Sequence, residues 1–430
     1  MKKANLILKD LKNSAPNKII KDALEAFLKN PSNDKDVFKA QYDLAEQALK
    51  NKTLNKNDEI LKNLFSPSDD DITRETQYSV LKNKLDSLKS FTENSSPIPD
   101  PIKNSLKVAL DVFLQTPSED NDTFKAQCDL AKTAFENQII DADDTILKNL
   151  FSPSDNDWIR FTQKSFMRDM LKNKINADSD DSQKAFAKAA LLKFLAKDDN
   201  INYDLLKKQY DFTQTAVTKG ILKAEDKEII TKLLKKPSND QNILRAQYDL
   251  AKTAVANGIL KAEEQTDKEI ITKFLQTPSD YPGTFKAQYD LAEIAFKNEI
   301  LNEDDKILQN LFSPSDYTRN TQYLVIKDCA RSSSDNSTFI KVAIKAFLTN
   351  PSNDENVLKQ QYNLAKAAIK NGFMEPEECE KISDKIKNLI LEQKITVAKN
   401  LPYLTNDQLK SINEAMLLQD TKNENKQFKL

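Results

Sequence analysis

Two spacings in this chain could support covalent chemistry. Ser-x-x-Lys occurs at Ser32–Lys35 and Ser79–Lys82, and Ser-Asp-Asn at Ser154–Asn156 and Ser334–Asn336. These are two of the three short motifs of the serine β-lactamase and penicillin-binding set, in which lysine can serve as the base for serine. The third motif, Lys-Thr-Gly, does not occur. A chain this rich in Ser, Asp, Asn and Lys produces such matches by chance. Ser32 also falls in a Pro-Ser turn, and Ser79 follows Gln77-Tyr78 on a helix, so both are expected to be structural.

Acidic runs such as Asp69-Asp70-Asp71 raise a calcium reading. An EF-hand loop needs alternating Asp ligands, a central glycine and a Glu at its twelfth position, and no such run is present. Helix capping is the expected role of these acids. Cys128, Cys329 and Cys379 are far apart, form no Cys-x-x-Cys, and are expected to be reduced thiols. No catalytic, cofactor-binding or metal-binding residue is assigned.

The absences bound the chemistry further. Among 430 residues there is no histidine and there are only four glycines. Histidine bases and His-ligated metals are therefore excluded, and a glycine-lined phosphate loop nearly so. Sixty-four basic residues, 58 Lys and 6 Arg, balance 66 acidic ones. The two signs alternate along the chain, so no basic stripe for nucleic acid is expected. No apolar run approaches a membrane span, and Leu6-Ile7-Leu8 is too short for a signal-peptide core. The expected location is the cytoplasm, or a host cytosol reached by export without a cleavable signal. Heavy Lys, Asn and Ile usage points to an AT-rich coding genome.

The elements that position these residues come from an internal repeat. Gln recurs at Gln41, Gln77, Gln127, Gln163, Gln209, Gln247, Gln288, Gln322 and Gln361, a period of about 40 residues. Tyr follows in seven of the nine copies, Cys128 and Lys164 being the exceptions. Proline lies ten residues before the Gln in seven copies; Pro314 lies eight before, and the Gln209 copy lacks it. Each copy reads as two helices. A short one stops at the Pro-Ser turn, because Pro cannot continue a helix. Ser with Asp or Asn then caps a second helix, exemplified by residues 38–51. Its apolar positions recur at spacings of three and four on two flanks, as a helix touching both its hairpin partner and the next repeat requires. The expected fold class is all-α: tandem helical hairpins in an α-solenoid-like extended or curved array. The tetratricopeptide, ankyrin and pentatricopeptide patterns do not match. The nine Gln side chains are expected to bond the interhelix turn or the neighbouring hairpin.

The copies fall into two types. Those at Gln77, Gln163 and Gln322 follow Phe-Ser-Pro-Ser-Asp and carry Thr76, Thr162 and Thr321 just before the Gln. Three residues before it they carry Arg74, Arg160 and Arg319, where the other copies have Phe or Leu. These arginines are read as module-closing caps, tolerating solvent or pairing with Asp69, Asp155 or Asp316. Helical modules are expected at 17–89, 102–175, 183–329 (double length) and 338–418, the last with C-terminal helices, followed by a polar tail at 419–430.

One segment departs from its siblings. Trp158, Arg160, Phe161, Phe166 and Arg168 cluster in the fourth copy, around the chain's one tryptophan. These residue types are enriched at interface cores, so the five are candidate partner-binding residues. The competing reading is local repacking at a module boundary. The expected function is a non-enzymatic scaffold or adaptor for a protein partner, without cofactor, metal, nucleic acid or membrane insertion. The alternative is a secreted host-directed effector of an intracellular microbe acting by protein binding. A carboxylate-dependent enzyme or an RNA-binding repeat protein ranks below both.

Overall fold

The Pro-Ser turns divide the chain into short and long helices, and the computed structural model places them as alternating partners. It describes residues 17–93, 97–176, 178–196, 203–313, 318–332, 338–349, 354–374 and 388. Among these every regular element is helical. Two compact units result, Met1–Glu225 and Asp226–Leu430. The division falls inside the stretch read from sequence as the double-length module. The helices expected at 375–398 and 405–418, and the tail, lie outside the described residues.

The first unit contains α1 (Asn17–Leu28), α2 (Lys35–Lys50), α3 (Glu59–Phe65), α4 (Asp71–Asp86), α5 (Lys89–Glu93), α6 (Asp100–Phe113), α7 (Asn121–Glu136), α8 (Thr145–Phe151), α9 (Asp157–Asp169), α10 (Asp181–Leu195) and α11 (Tyr203–Thr218). The second contains α12 (Lys227–Leu233), α13 (Gln241–Ala256), α14 (Gln265–Leu275), α15 (Pro282–Lys297), α16 (Lys306–Phe312), α17 (Arg319–Ser332), α18 (Thr338–Thr349) and α19 (Glu355–Lys370). Within each unit the helices form two rows. In the first, α1, α3, α6, α8 and α10 touch in sequence, and beside them α2, α4, α7, α9 and α11 do the same. In the second, α14, α16 and α18 form one row and α13, α15, α17 and α19 the other. Each unit is thus a tandem helical-repeat stack, in which a helix packs on its hairpin partner and on its counterparts one repeat away.

Small residues and aromatics fill the space between rows. Ala45, Ala48, Ala131, Ala134, Ala251, Ala254, Ala292 and Ala295 are fully buried and allow close helix approach. The tyrosine after the repeat Gln packs on the Phe that ends the following short helix: Tyr42 on Phe65 at 5.7 Å, Tyr248 on Phe274 at 5.5 Å, Tyr289 on Phe312 at 5.8 Å. Edge-to-face geometry of this kind adds to the area buried. Where Cys128 replaces the tyrosine, Phe151 packs against Phe166 and Phe186 instead.

Six of the long helices end on a left-handed residue. Gly220, Gly258 and Gly372 hold it in three copies, and Lys52, Gln138 and Glu299 hold it in three others, with φ of 58°, 58° and 61°. The chain can then turn back, and Ile300 N–H bonds Ala295 O at 2.9 Å. A side chain in this conformation carries a steric cost that glycine avoids. Glu299→Gly is therefore expected to raise unfolding stability by about 1 kcal/mol, read from the midpoint of urea unfolding; an unchanged or lower midpoint contradicts this reading of the cap.

Candidate functional site

The repeat glutamine is the organising side chain. Gln77 is completely buried. Its Oε1 accepts from Ser68 N–H at 3.0 Å, and its Nε2 donates to Leu64 O at 3.0 Å and Ser66 O at 2.8 Å. Gln163 repeats this with Ser154 N–H, Leu150 O and Ser152 O. Gln41, Gln127, Gln247 and Gln288 make the same three bonds, accepting from Ser32, Ser118, Ser238 and Ser279. Gln209 donates to Phe194 O and Gln361 to Phe347 O. Gln322 donates to Leu311 O and Ser313 O, two residues closer in sequence than the acceptors of Gln77. That offset matches Pro314, which stands two residues nearer its Gln than the other prolines.

The turn serine continues the chain of bonds. Ser32 Oγ accepts from Asp34 N–H, Ser68 Oγ from Asp70 N–H, and Ser154 Oγ from Asn156 N–H, at 3.1, 3.2 and 3.1 Å. Asp34, Asp70 and Asn156 then cap α2, α4 and α9 through their side chains. The hydroxyl and backbone N–H of Thr73 hold the Asp70 carboxyl below the usual range. The Ser-x-x-Lys at Ser32 and the Ser-Asp-Asn at 154–156 are thus occupied in turn and cap bonding. Ser334–Asn336 lies outside the described residues.

The closing arginines also grip the turn. Arg74 donates to Ser68 O at 2.9 Å and pairs with Asp71; Arg160 donates to Ser154 O at 2.7 Å and pairs with Asp157. The carboxylate partner of Arg74 is therefore Asp71, not Asp69, because an acid three residues earlier on the same helix lies on its face. Arg160 likewise meets the Asp157 carboxylate, and reaches Asp155 only at its backbone oxygen. Arg319 is half-buried at the start of α17, and Asp316 lies outside the described residues. The threonines bridge repeats: Thr76 bonds Asn33 O at 3.0 Å, Thr162 bonds Ser118 O at 3.3 Å and Thr321 bonds Asp280 O at 2.8 Å.

A second link between repeats was not read from sequence. Lys21 pairs with Asp58, Lys107 with Asp144, Lys227 with Glu264 and Lys268 with Asp305. Each pair spans 37 residues and joins the first helix of one hairpin to the start of the next hairpin's first helix. The constant offset was its available signal. The bond to Asp144 raises the Lys107 pKa.

The five candidate partner-binding residues separate. Phe166 is buried and packs on Phe124 and Phe151 at 6.0 and 5.9 Å, so it belongs to the core. Arg160 is committed to its turn. Trp158, at 69% exposure, and Phe161, at 59%, share a solvent stripe of α9 with exposed Arg168. Other copies carry Asp36, Asp122 or Asn242 at the Trp158 position and Lys39, Lys125 or Lys286 at the Phe161 position. Among the described residues no cluster of His, Cys, Asp and Glu could hold a metal ion, and no helix is long and apolar enough to cross a membrane. Burial pushes the Cys128 and Cys329 thiols above their usual pKa, away from the thiolate form.

These features define a tandem helical-repeat protein. No family model and no curated protein matches the chain. Among solved structures it is similar to a crystal structure of an engineered protein from the Northeast Structural Genomics Consortium, at 16% identity and a TM-score of 0.29, covering 92% of this chain and 98% of that one. The fold assignment rests on the helices and their contacts.

Replacing Gln77 by Leu strands one buried N–H and two carbonyls. The expected cost is about 3 kcal/mol, measured by urea unfolding. Gln77→Glu exchanges the two donating N–H bonds for a carboxylate facing two carbonyls, which raises the folded-state pKa of the new acid. Its deficit relative to wild type is expected to shrink as pH falls from about 7 to about 5. A deficit independent of pH, or a Leu variant as stable as wild type, contradicts the clamp.

Proposed function

We propose that the chain is a non-enzymatic scaffold that binds a protein partner, with the exposed stripe of α9 as one contact surface. The observation that carries this reading is Trp158 standing 69% exposed three residues from the equally displaced Phe161. Local repacking would place those rings among neighbouring side chains. Instead the helix spends its buried face on Gln163, Phe166 and Met167 and presents Trp158 and Phe161 to solvent. A tryptophan with a nearby arginine is the composition of a binding hot spot, gaining its free energy when a partner's pocket desolvates it. The Arg160 grip on the Ser154 turn fixes the helix start that bears Trp158, which lowers the entropy lost on binding.

The test is affinity capture with quantitative mass spectrometry, comparing wild type with Trp158→Ala/Phe161→Glu at equal helicity. Both substitutions lie on the exposed stripe, so folding is expected to be unchanged. A partner enriched by the wild type is expected to fall at least tenfold with the variant. Equal retention of every partner contradicts this surface.

A further inference from the structure

The repeat register exposes a second feature, in the second unit. Five and nine residues after the repeat Gln, the long helices carry side chains one turn apart on one face. In four copies these two carry opposite charges and form ion pairs: Glu46–Lys50, Lys82–Asp86, Lys132–Glu136 and Glu293–Lys297. In the last two copies both are cations, Lys327 with Arg331 on α17 and Lys366 with Lys370 on α19. The two helices are neighbours in their row. Each of these helices thus carries a like-charged pair where other copies neutralise themselves, and none of the four cations is ion-paired with a described carboxylate. Arg168 and Lys172 repeat the like-charged pattern on α9, but there a π-helical turn, Met170–Lys174, breaks the register, and Lys132–Glu136 on neighbouring α7 is neutral.

A concavity lies at this patch. It has a volume of about 280 Å³ and is lined by Lys327 and Arg331 on one side and Asn363 and Asn371 on the other, over Leu364 and Ala367. Lys327 lies 5.2 Å from the centre of the Tyr323 ring, so its ammonium sits over a ring face, with no ion pair to a described acid. Asp328 is the nearby acid on α17; it is exposed, and it has a bonding partner of its own. We propose that this pocket binds an acidic peptide segment, with a Glu or Asp carboxylate seated between Lys327, Arg331 and the two asparagine amides. Arg and amide donors match a carboxylate's paired oxygens, and the volume suits one side chain. A single-stranded nucleic acid would look for exposed rings on which to stack, and the one aromatic in the lining, Tyr323, is 8% exposed. The proposal rests on α17 and α19 and is independent of the surface on α9.

The experiment is fluorescence anisotropy of the full chain with fluorescein-labelled hexaglutamate at low salt, beside labelled hexathymidylate. Wild type is expected to bind hexaglutamate more tightly. Lys327→Gln/Arg331→Gln is expected to weaken it at least tenfold, and Lys125→Gln to leave it unchanged. Arg331→Asp recreates the ion-pair pattern of Lys82–Asp86, so it is expected to keep the fold, checked by circular dichroism, and to lose binding. No binding by wild type up to millimolar probe overturns the proposal. So does equal binding by the variants, or tighter binding of hexathymidylate.

Discussion

A buried primary amide is the constraint on which this structure depends. A proline that ends one helix leaves carbonyls without intrahelical partners, and the next helix begins only three or four residues later. The turn between them is only partly buried, yet its carbonyls and serine N–H find partners within the protein. Glutamine solves this with a single side chain, because its amide both donates twice and accepts. In Gln77 the two donated bonds close the outgoing helix and the accepted bond fixes Ser68, whose hydroxyl places Asp70, whose carboxylate caps the next helix. Neither Asn, which is too short, nor Glu, which cannot donate when ionised, supplies this set. That geometry accounts for glutamine at the six positions that make all three bonds, and Gln209, Gln322 and Gln361 keep a donated bond to the preceding helix.

Once each turn is rigid, turns can be stacked. Thr76, Thr162 and Thr321 carry a bond from a long helix to the turn one repeat earlier, and the 37-residue Lys–acid pairs link successive repeats along the other row. Most of these pairs are partly exposed and add little individually. Lys227 makes a further pair with Asp267, whose side chain is fully buried and whose charge is matched at 2.7 Å. The polar contacts therefore set register, while tyrosine-on-phenylalanine packing and alanine-lined approach supply the apolar burial. The proposed contact surfaces fall at positions that the repeat does not need, Trp158, Phe161 and the Lys327–Arg331 pair being such departures.

The repeat, its hairpin form and the Gln role were legible in the sequence because each uses a fixed spacing of distinctive residues. The partners of Gln were anticipated as the turn, but its three-bond geometry was not, since backbone oxygens leave no mark in a sequence. The Arg74 partner was misassigned to Asp69 because linear proximity was used where helical facing decides. Phe166 was grouped with Trp158 by composition, although seven residues intervene and about a fifth of a turn separates the two around the helix, which puts Phe166 on the buried side. The 37-residue ion pairs were hidden among 130 charged residues, where no single Lys–Asp spacing stands out. The cationic pocket was invisible for a similar reason: it emerges only when two adjacent copies are compared in register.

The account's central claim is that each Pro-Ser turn is locked by its glutamine. Backbone N–H groups in solvent-facing turns ordinarily exchange hydrogen quickly. The most direct measurement is amide hydrogen exchange, resolved by NMR, at Ser32, Ser68, Ser118, Ser154, Ser238 and Ser279. The account predicts protection of these six amides comparable to that of the adjoining long helices, although they lie in turns. Exchange at unprotected rates while those helices remain protected would contradict it.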